Sequence, residues 1–420
     1  MHMFRKNGQP AKSIRFALGE LLIQEHFQCS DEETVQNIVK QPYLQHFIGL
    51  TKFTSEPPFD PSLMVWFRKR LSAKFMRELN EAMCKAEAMP PPEEVIPPKD
   101  DDDEPHGGTL IIDATCAPAD IKYPTDTGLL AEAIKKTDNM IGTMQEPLKG
   151  DSPRPRTYHE KSRKLFTGFV RQRKPSAKTI RRVRCQQLNY LERNLEIVSK
   201  MLENGGKLSD RQQTLLDTIL TLCEQQRMMH DTRTTRCDDR IVSITQPHIR
   251  PIVRGKAGTP VEFGAKVNMS VVNGYVFLNE ISYDAFNEGN LLENAIIDYY
   301  CTFGMLPEKI LADQAFTSRD NRLICKQPGI RLAGKPLGRP LKNAPPVSKE
   351  DHCRRVEVEG KFGTLKTRYS WDRVMARLPE TGKTVIAVAA VAMNLPKKAK
   401  VFLCALQMRS VIPYFACCTS

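Results

Sequence analysis

No Cys-x-x-Cys pair occurs among the twelve cysteines, and the only adjacent pair, Cys417-Cys418, lies in the tail. That excludes the usual zinc ribbons and fingers. With no secretory signal at the start, the cysteines are expected to be reduced thiols of a cytosolic protein. The histidines form no His-Glu-x-x-His or similar pattern, so a zinc-hydrolase site is not indicated. The longest apolar run, Thr384 to Leu395, is too short to cross a bilayer and is followed by Pro396-Lys397-Lys398. It is expected to be a buried helix, and no membrane partner is expected.

Acidic residues are also in deficit. Against 62 Lys and Arg stand 49 Asp and Glu, a formal charge of +13 over 420 residues. The expected partner is a polyanion. Nucleic acid fits better than a membrane surface, because the basic residues are not confined to one amphipathic helix. The length allows two or three domains.

Residues 1–88 read as an all-α, helix-turn-helix-like DNA-binding domain. Ser13 can cap a first helix, and Ser30-Asp-Glu-Glu33 has capping-box spacing. Asp60-Pro61 reads as an N-cap followed by proline at the first helical position, and Ser72 starts a further helix. The helix from Ser62 to Leu71 carries Trp66, Arg68, Lys69 and Arg70, the first candidate DNA contacts. Residues 89–108, rich in proline and with the acidic block Asp100 to Glu104, read as a solvated linker.

Residues 135–239 read as a basic helical insertion. Arg154 to Arg184 holds twelve Lys and Arg and one acid, Glu160, an electrostatic footprint for a phosphate backbone that includes Arg181, Arg182 and Arg184. Leu188, Leu191, Leu195, Val198 and Leu202 keep helical spacing up to Gly205-Gly206, so a helical hairpin is expected. Residues 109–134 and 240–408 read as one α/β domain, followed by a tail at 409–420. Ile241 to Ile244 is expected to be a strand. Two longer strands flank Asn273-Gly274, a hairpin signal.

Two short apolar runs end in a carboxylate: Thr109-Leu-Ile-Ile-Asp113 and Lys309-Ile-Leu-Ala-Asp313. An aspartate at the end of a buried strand is costly unless a cation compensates for it. Residues 352–369 read as a helix on which His352, Arg355, Glu359 and Lys366 share one stripe, beside an anchoring row of Val358, Phe362, Leu365 and Tyr369. Glu359 there is either one half of a solvated i,i+4 pair with Arg355 or a metal ligand flanked by phosphate-seeking cations. Three carboxylates from two strand ends and a helix form the set that holds two divalent ions for phosphoryl displacement. Oxygen-only ligands suit Mg²⁺ or Mn²⁺. Asp120 and Asp126 read as structural residues or as supports behind the ligands rather than as ligands themselves, and Asp320 as a surface or capping residue. The order of elements is that of a ribonuclease H-like mixed sheet interrupted by a helical insertion.

At Asp113-Ala-Thr, Tyr123-Pro-Thr-Asp126, Ala312-Asp313 and Glu357-Val-Glu-Gly-Lys-Phe-Gly363, the sequence resembles bacterial insertion-sequence transposases of the DDE type. Near the start, Ser30-Asp-Glu-Glu-Thr-Val and Pro57-Pro-Phe-Asp-Pro-Ser-Leu-Met64 carry the same likeness. The family's last motif is a tyrosine, two residues, arginine, three residues, glutamate, six residues and lysine. It is matched at Arg355, Glu359 and Lys366, with His352 in place of the tyrosine. The resemblance implies Asp113, Asp313 and Glu359 as catalytic ligands of two Mg²⁺ or Mn²⁺ ions. It also implies Arg355, Lys366 and His352 at the element's end DNA, and a homodimer or larger synaptic complex on double-stranded DNA in the cytoplasm at the nucleoid. The implied reaction is cleavage at terminal inverted repeats and joining of 3′-hydroxyl ends to target DNA. Two alternatives are a chemically silent DNA-binding descendant and a metal-dependent nuclease of the same fold.

Overall fold

The computed structural model describes residues 12–98, 104–146, 153–253, 261–334 and 348–416, with side chains to residue 402. The chain forms two compact units, Met1–Asp120 with Gly264–Ser420, and Ile121–Phe263.

The first unit opens with five helices. Ser13 caps α1 (Ile14–Phe27), and the Ser30/Glu33 capping box starts α2 (Asp31–Lys40) as its spacing predicts. The short α3 (Pro42–Phe47) follows. The helix α4 (Leu63–Arg70) begins later than expected. Asp60 accepts a hydrogen bond from the Ser62 amide, so Asp60-Pro61 make a turn before the helix rather than its first residues. Ser72 caps α5 (Ala73–Ala88). Phe16, Phe59 and Phe67 pack edge-on or tilted in the core of this helical segment. Within the expected linker, β1 (Val95–Ile96) and β2 (His106–Gly107) form an antiparallel ribbon, while Asp100 to Asp103 lie outside the described residues.

The strand β3 (Thr109–Pro118) leads to the second unit, with α6 (Asp126–Gln145), α7 (His159–Val170), α8 (Ala177–Glu203) and α9 (Asp210–Asp231). The Ser209/Gln212 capping box restarts the helical pattern after Gly205-Gly206, giving the expected hairpin of α8 and α9. Leu188, Leu191 and Val198 are buried with Leu130, Ile134, Ile219 and Leu222. Ile241 to Ile244 is not a strand. Ile241 and Ile244 insert into this helical core, and the strand that follows is β4 (Arg250–Val253). Burial against helices satisfies the same apolar residues that would otherwise call for a sheet.

Back in the first unit, β5 (Val261–Val272) and β6 (Tyr275–Ser282) form the hairpin at Asn273-Gly274, whose φ values of 46° and 75° suit a primed two-residue turn. After α10 (Leu292–Phe303) come β7 (Lys309–Ala312), α11 (Arg319–Lys326), β8 (Arg331–Ala333), α12 (Lys349–Arg368) and α13 (Pro379–Ala416). The strands lie in the order β6-β5-β3-β7-β8. Pairing is antiparallel through β6, β5 and β3 and parallel through β3, β7 and β8. This is the ribonuclease H-like mixed sheet. Leu110, Ile112, Ile310 and Ala312 face a core shared with α5, α10 and α11. The alternate residues face the side where α12 packs on β3 and β7. In α13, residues 385–392 are buried, as expected of that apolar run, and the helix continues through Pro396.

Candidate active site

Asp113 lies inside β3 rather than at its end, but it stands where the parallel ladder stops. Ile112 pairs with Ala312, the last residue of β7, and Asp313 follows directly. From Asp113 onward β3 pairs with β5 alone. The two aspartates are thus adjacent strand positions one residue beyond the last parallel pair. Their place in the alternation aims both at the α12 face. Each Oδ1 accepts a hydrogen bond from the next amide, Ala114 at 2.8 Å and Gln314 at 2.7 Å.

The helix α12 is pinned on the sheet at three levels. Asp351, buried near its start, takes Lys309 of β7 and Arg331 of β8. Lys361 donates to the Gly274 carbonyl at 2.7 Å. Val358, Phe362, Leu365 and Tyr369 are buried, as the anchoring row predicts. Just beyond its C-terminal end, the Ser370 amide and hydroxyl donate to Glu25 of α1. On the exposed stripe, the Arg355 guanidinium lies 3.8 Å from Asp313 and 3.2 Å from Glu359. The i,i+4 pair anticipated as the bland alternative therefore forms, and the same arginine also reaches the strand-end acid. Lys366 is half-buried further along. His352 is exposed and lines a cavity of about 630 Å³ with Asp313, Gln314, Lys349, Cys353 and Arg355.

Burial pushes Asp113 up to about 6. The Ala114 amide opposes the rise, the carboxylates of Asp313 and Glu288 add to it, and Arg355 counters it. Glu288 was not anticipated as part of this acidic group. It enters from the turn before α10 and is held by Lys266 at 2.8 Å. Nothing in the local pattern around residue 288 signals it, because its neighbours come from β3 and β5.

A carboxylate pair with an excess of negative charge, built only from oxygen donors, suits a hard divalent cation. The fit extends to Asp113 and Asp313. Among the described residues no group of three acids, histidines or cysteines converges closely enough to hold a metal, and Arg355 stands beside Glu359 where a third ligand is needed.

The candidate DNA contacts divide. Lys69 and Arg70 are exposed on α4, with the Lys69 ammonium over the Trp66 ring at 4.9 Å. Arg68 is buried and binds Asp31 through both guanidinium nitrogens, so it joins α4 to α2 instead of facing DNA. In the second unit Arg181 and Arg182 are exposed, whereas Arg184 is buried against Asp126. Asp126 also takes Arg240 and Gln226, which makes it the structural residue expected and removes Arg184 from the DNA-facing set. Asp120 pairs with Arg373, and Asp320 sits in the first turn of α11.

The fold is thus a ribonuclease H-like mixed sheet with two aspartates paired where the β3–β7 ladder stops, facing α12. Two family models then match: "Transposase DDE domain" over residues 310–396, which includes Asp313 and Glu359, and "Transposase domain (DUF772)" over residues 1–70. On these two stretches the chain is similar to transposases of the DDE type. It is also similar to "Uncharacterized protein ORF8 in nfe locus" of Rhizobium meliloti, 31% identical over 132 residues, which is 31% of this chain and spans 59% of that protein. No solved structure matches. Among the described residues, no helix is long and apolar enough to cross a membrane.

Proposed function

We propose that this chain is a DNA transposase that cuts at the terminal inverted repeats of an insertion sequence and joins the 3′-hydroxyl ends to target DNA. The observation that best supports this is the side-by-side placement of Asp113 and Asp313 at the end of the β3–β7 ladder, facing Arg355 and Glu359 on α12. Asp113 and Asp313 would hold a divalent ion, Mg²⁺ or Mn²⁺, and Glu359 would join them once Arg355 gives way, with a second ion expected in the completed set. Such ions supply Lewis acidity at the scissile phosphate and favour ionisation of the attacking water. The chain's own part is positioning: α12, anchored through Asp351 and Lys361, keeps Arg355 and Glu359 opposite the aspartates. Arg355 is then the phosphate-seeking cation nearest the acids, with Lys366 and His352 along the same face. The reading has two or more copies of the chain bringing two element ends together.

The test is cleavage of a labelled duplex carrying the element's own end, with Mg²⁺ or Mn²⁺, beside a Glu359→Gln control. Metal-dependent nicking at the boundary, absent from the control, is expected. One observation favours a chemically silent DNA-binding protein instead: the Arg355–Glu359 pair holds the third acid away from a ligand set. End binding with no cutting in either metal would select that reading.

A further inference from the structure

The basic second unit carries a local arrangement that charge counting does not reveal. Several of its cations are engaged internally: Arg154 on Asp138, Arg163 on Glu160 and Arg184 on Asp126. Three others gather around one aromatic ring. Arg193 lies 4.7 Å from the Tyr158 ring centroid, Lys161 5.2 Å and Arg156 5.7 Å. Tyr158 itself stacks on Tyr190, with ring centroids 5.4 Å apart and planes 24° from parallel.

Sequence and helix geometry explain the convergence. Tyr158 is the residue before α7, with Lys161 one turn on. Tyr190 and Arg193 are i,i+3 neighbours on α8. All three cations are exposed, and among the described residues no carboxylate pairs with any of them. Two acids near the cluster are engaged elsewhere: Asp138 binds Arg154, Thr157 and His159, and Glu160 binds Arg163. Three like charges held this close repel one another, and the ring quadrupole offsets only part of that. Among the described residues, the partner this arrangement lacks is an anion.

We infer that Arg156, Lys161 and Arg193, gathered by the Tyr158–Tyr190 stack, form a preorganised phosphate-binding cluster for the backbone of duplex DNA. This rests on the reading of the chain as a DNA-acting protein. Tyr158 is a positioning residue there: it carries no charge, but it holds the cations in one place. Phosphate contacts of this kind set affinity and register without reading sequence.

The test is the salt dependence of binding of the full chain to a duplex of arbitrary sequence. Replacing Arg156, Lys161 and Arg193 together with glutamine should lower the slope of log K against log salt by about 0.9 per lost contact, so about 3 in all. A control triple at the exposed Arg171, Arg173 and Lys174 should lower it less. Tyr158→Phe should keep the wild-type slope, while Tyr158→Leu should lower it by about 1 although no charge is removed. Folding of each variant is checked by its thermal transition, and the glutamine triple changes only exposed side chains, so it reports even if Tyr158→Leu does not fold. Equal losses in the two triples, or an unchanged slope in the first, would overturn the inference. A wild-type chain that binds no DNA at all would instead remove the transposase reading on which it rests.

Discussion

Arg355 bridges Asp313 and Glu359, its Nη1 3.8 Å from one carboxylate and its Nη2 3.2 Å from the other. A guanidinium in that position occupies the electrostatic place of a metal ion. A divalent ion proposed for these acids would have to compete with it. Arg355→Gln is therefore expected to bind Mn²⁺ several-fold more tightly in the absence of DNA, read by titration calorimetry. The same variant should bind end DNA more weakly, having lost a phosphate-seeking cation. Unchanged Mn²⁺ affinity would mean that the bridge places no restraint on the acids.

Asp113, proposed above as a metal ligand, carries a stability cost. Its carboxyl is lifted to about 6 by burial, with Asp313 and Glu288 adding to the effect. At neutral pH the folded protein must therefore keep a charge in a place that disfavours it. Asp113→Asn is expected to abolish cleavage, leave end binding nearly intact, and stabilise the fold by roughly 1–2 kcal/mol at pH 7. Activity and urea denaturation of the same preparation check both halves. A variant that loses activity and stability together would show that Asp113 is structural.

The arginines proposed from sequence as one DNA-facing population should separate into two. Arg68 and Arg184 are buried on Asp31 and Asp126, and removing one member of a buried pair typically costs about 3–5 kcal/mol. Arg68→Ala and Arg184→Ala are thus expected to lower the thermal midpoint markedly. The exposed Arg181 and Arg182, replaced together with glutamine, should leave the midpoint unchanged and reduce the salt slope of DNA binding. The opposite pattern would place Arg184 on the DNA side.

What could be read from sequence was what local periodicity encodes. The α12 stripe and its buried row follow from 3.6-residue spacing, and the Asn273-Gly274 turn from its backbone preference. The aspartates were legible because each ends a short apolar run. The long-range partners were not. Arg68 meets an acid 37 residues away and Arg184 one 58 residues away, so their charge looked available for a ligand. Glu288 carries no pattern of its own, since its place beside Asp113 comes from the crossing of a turn over the sheet. Ile241 to Ile244 has strand-like composition, but the helical core of the second unit takes it.

Two glutamates on α1 make stability depend on pH in a direction opposite to ordinary acid denaturation. Glu20 is fully buried, and neither carboxylate oxygen has a hydrogen-bond partner among the described residues. Burial raises it from the ordinary 4.5 to about 9, with Lys12 opposing weakly. Glu25 is raised to about 7, again by burial, which outweighs its hydrogen bonds from Ser370 and the nearby Arg68. An acid whose folded value lies above its unfolded one holds an extra proton in the folded state between those values. Its contribution is therefore lost as pH rises through that window. For Glu25 the loss runs from about 4.5 to 7, and for Glu20 from about 4.5 to 9. Glu20→Gln is expected to gain of order 1–3 kcal/mol over the wild type at pH 7, and more at pH 9, with little difference near pH 4.5. Glu25→Gln should gain less and level off above pH 7. Urea melts of the three proteins at pH 5, 7 and 9 check this. A Glu20→Gln difference that does not grow between pH 5 and 9 would mean that the Glu20 carboxyl finds a partner in solution.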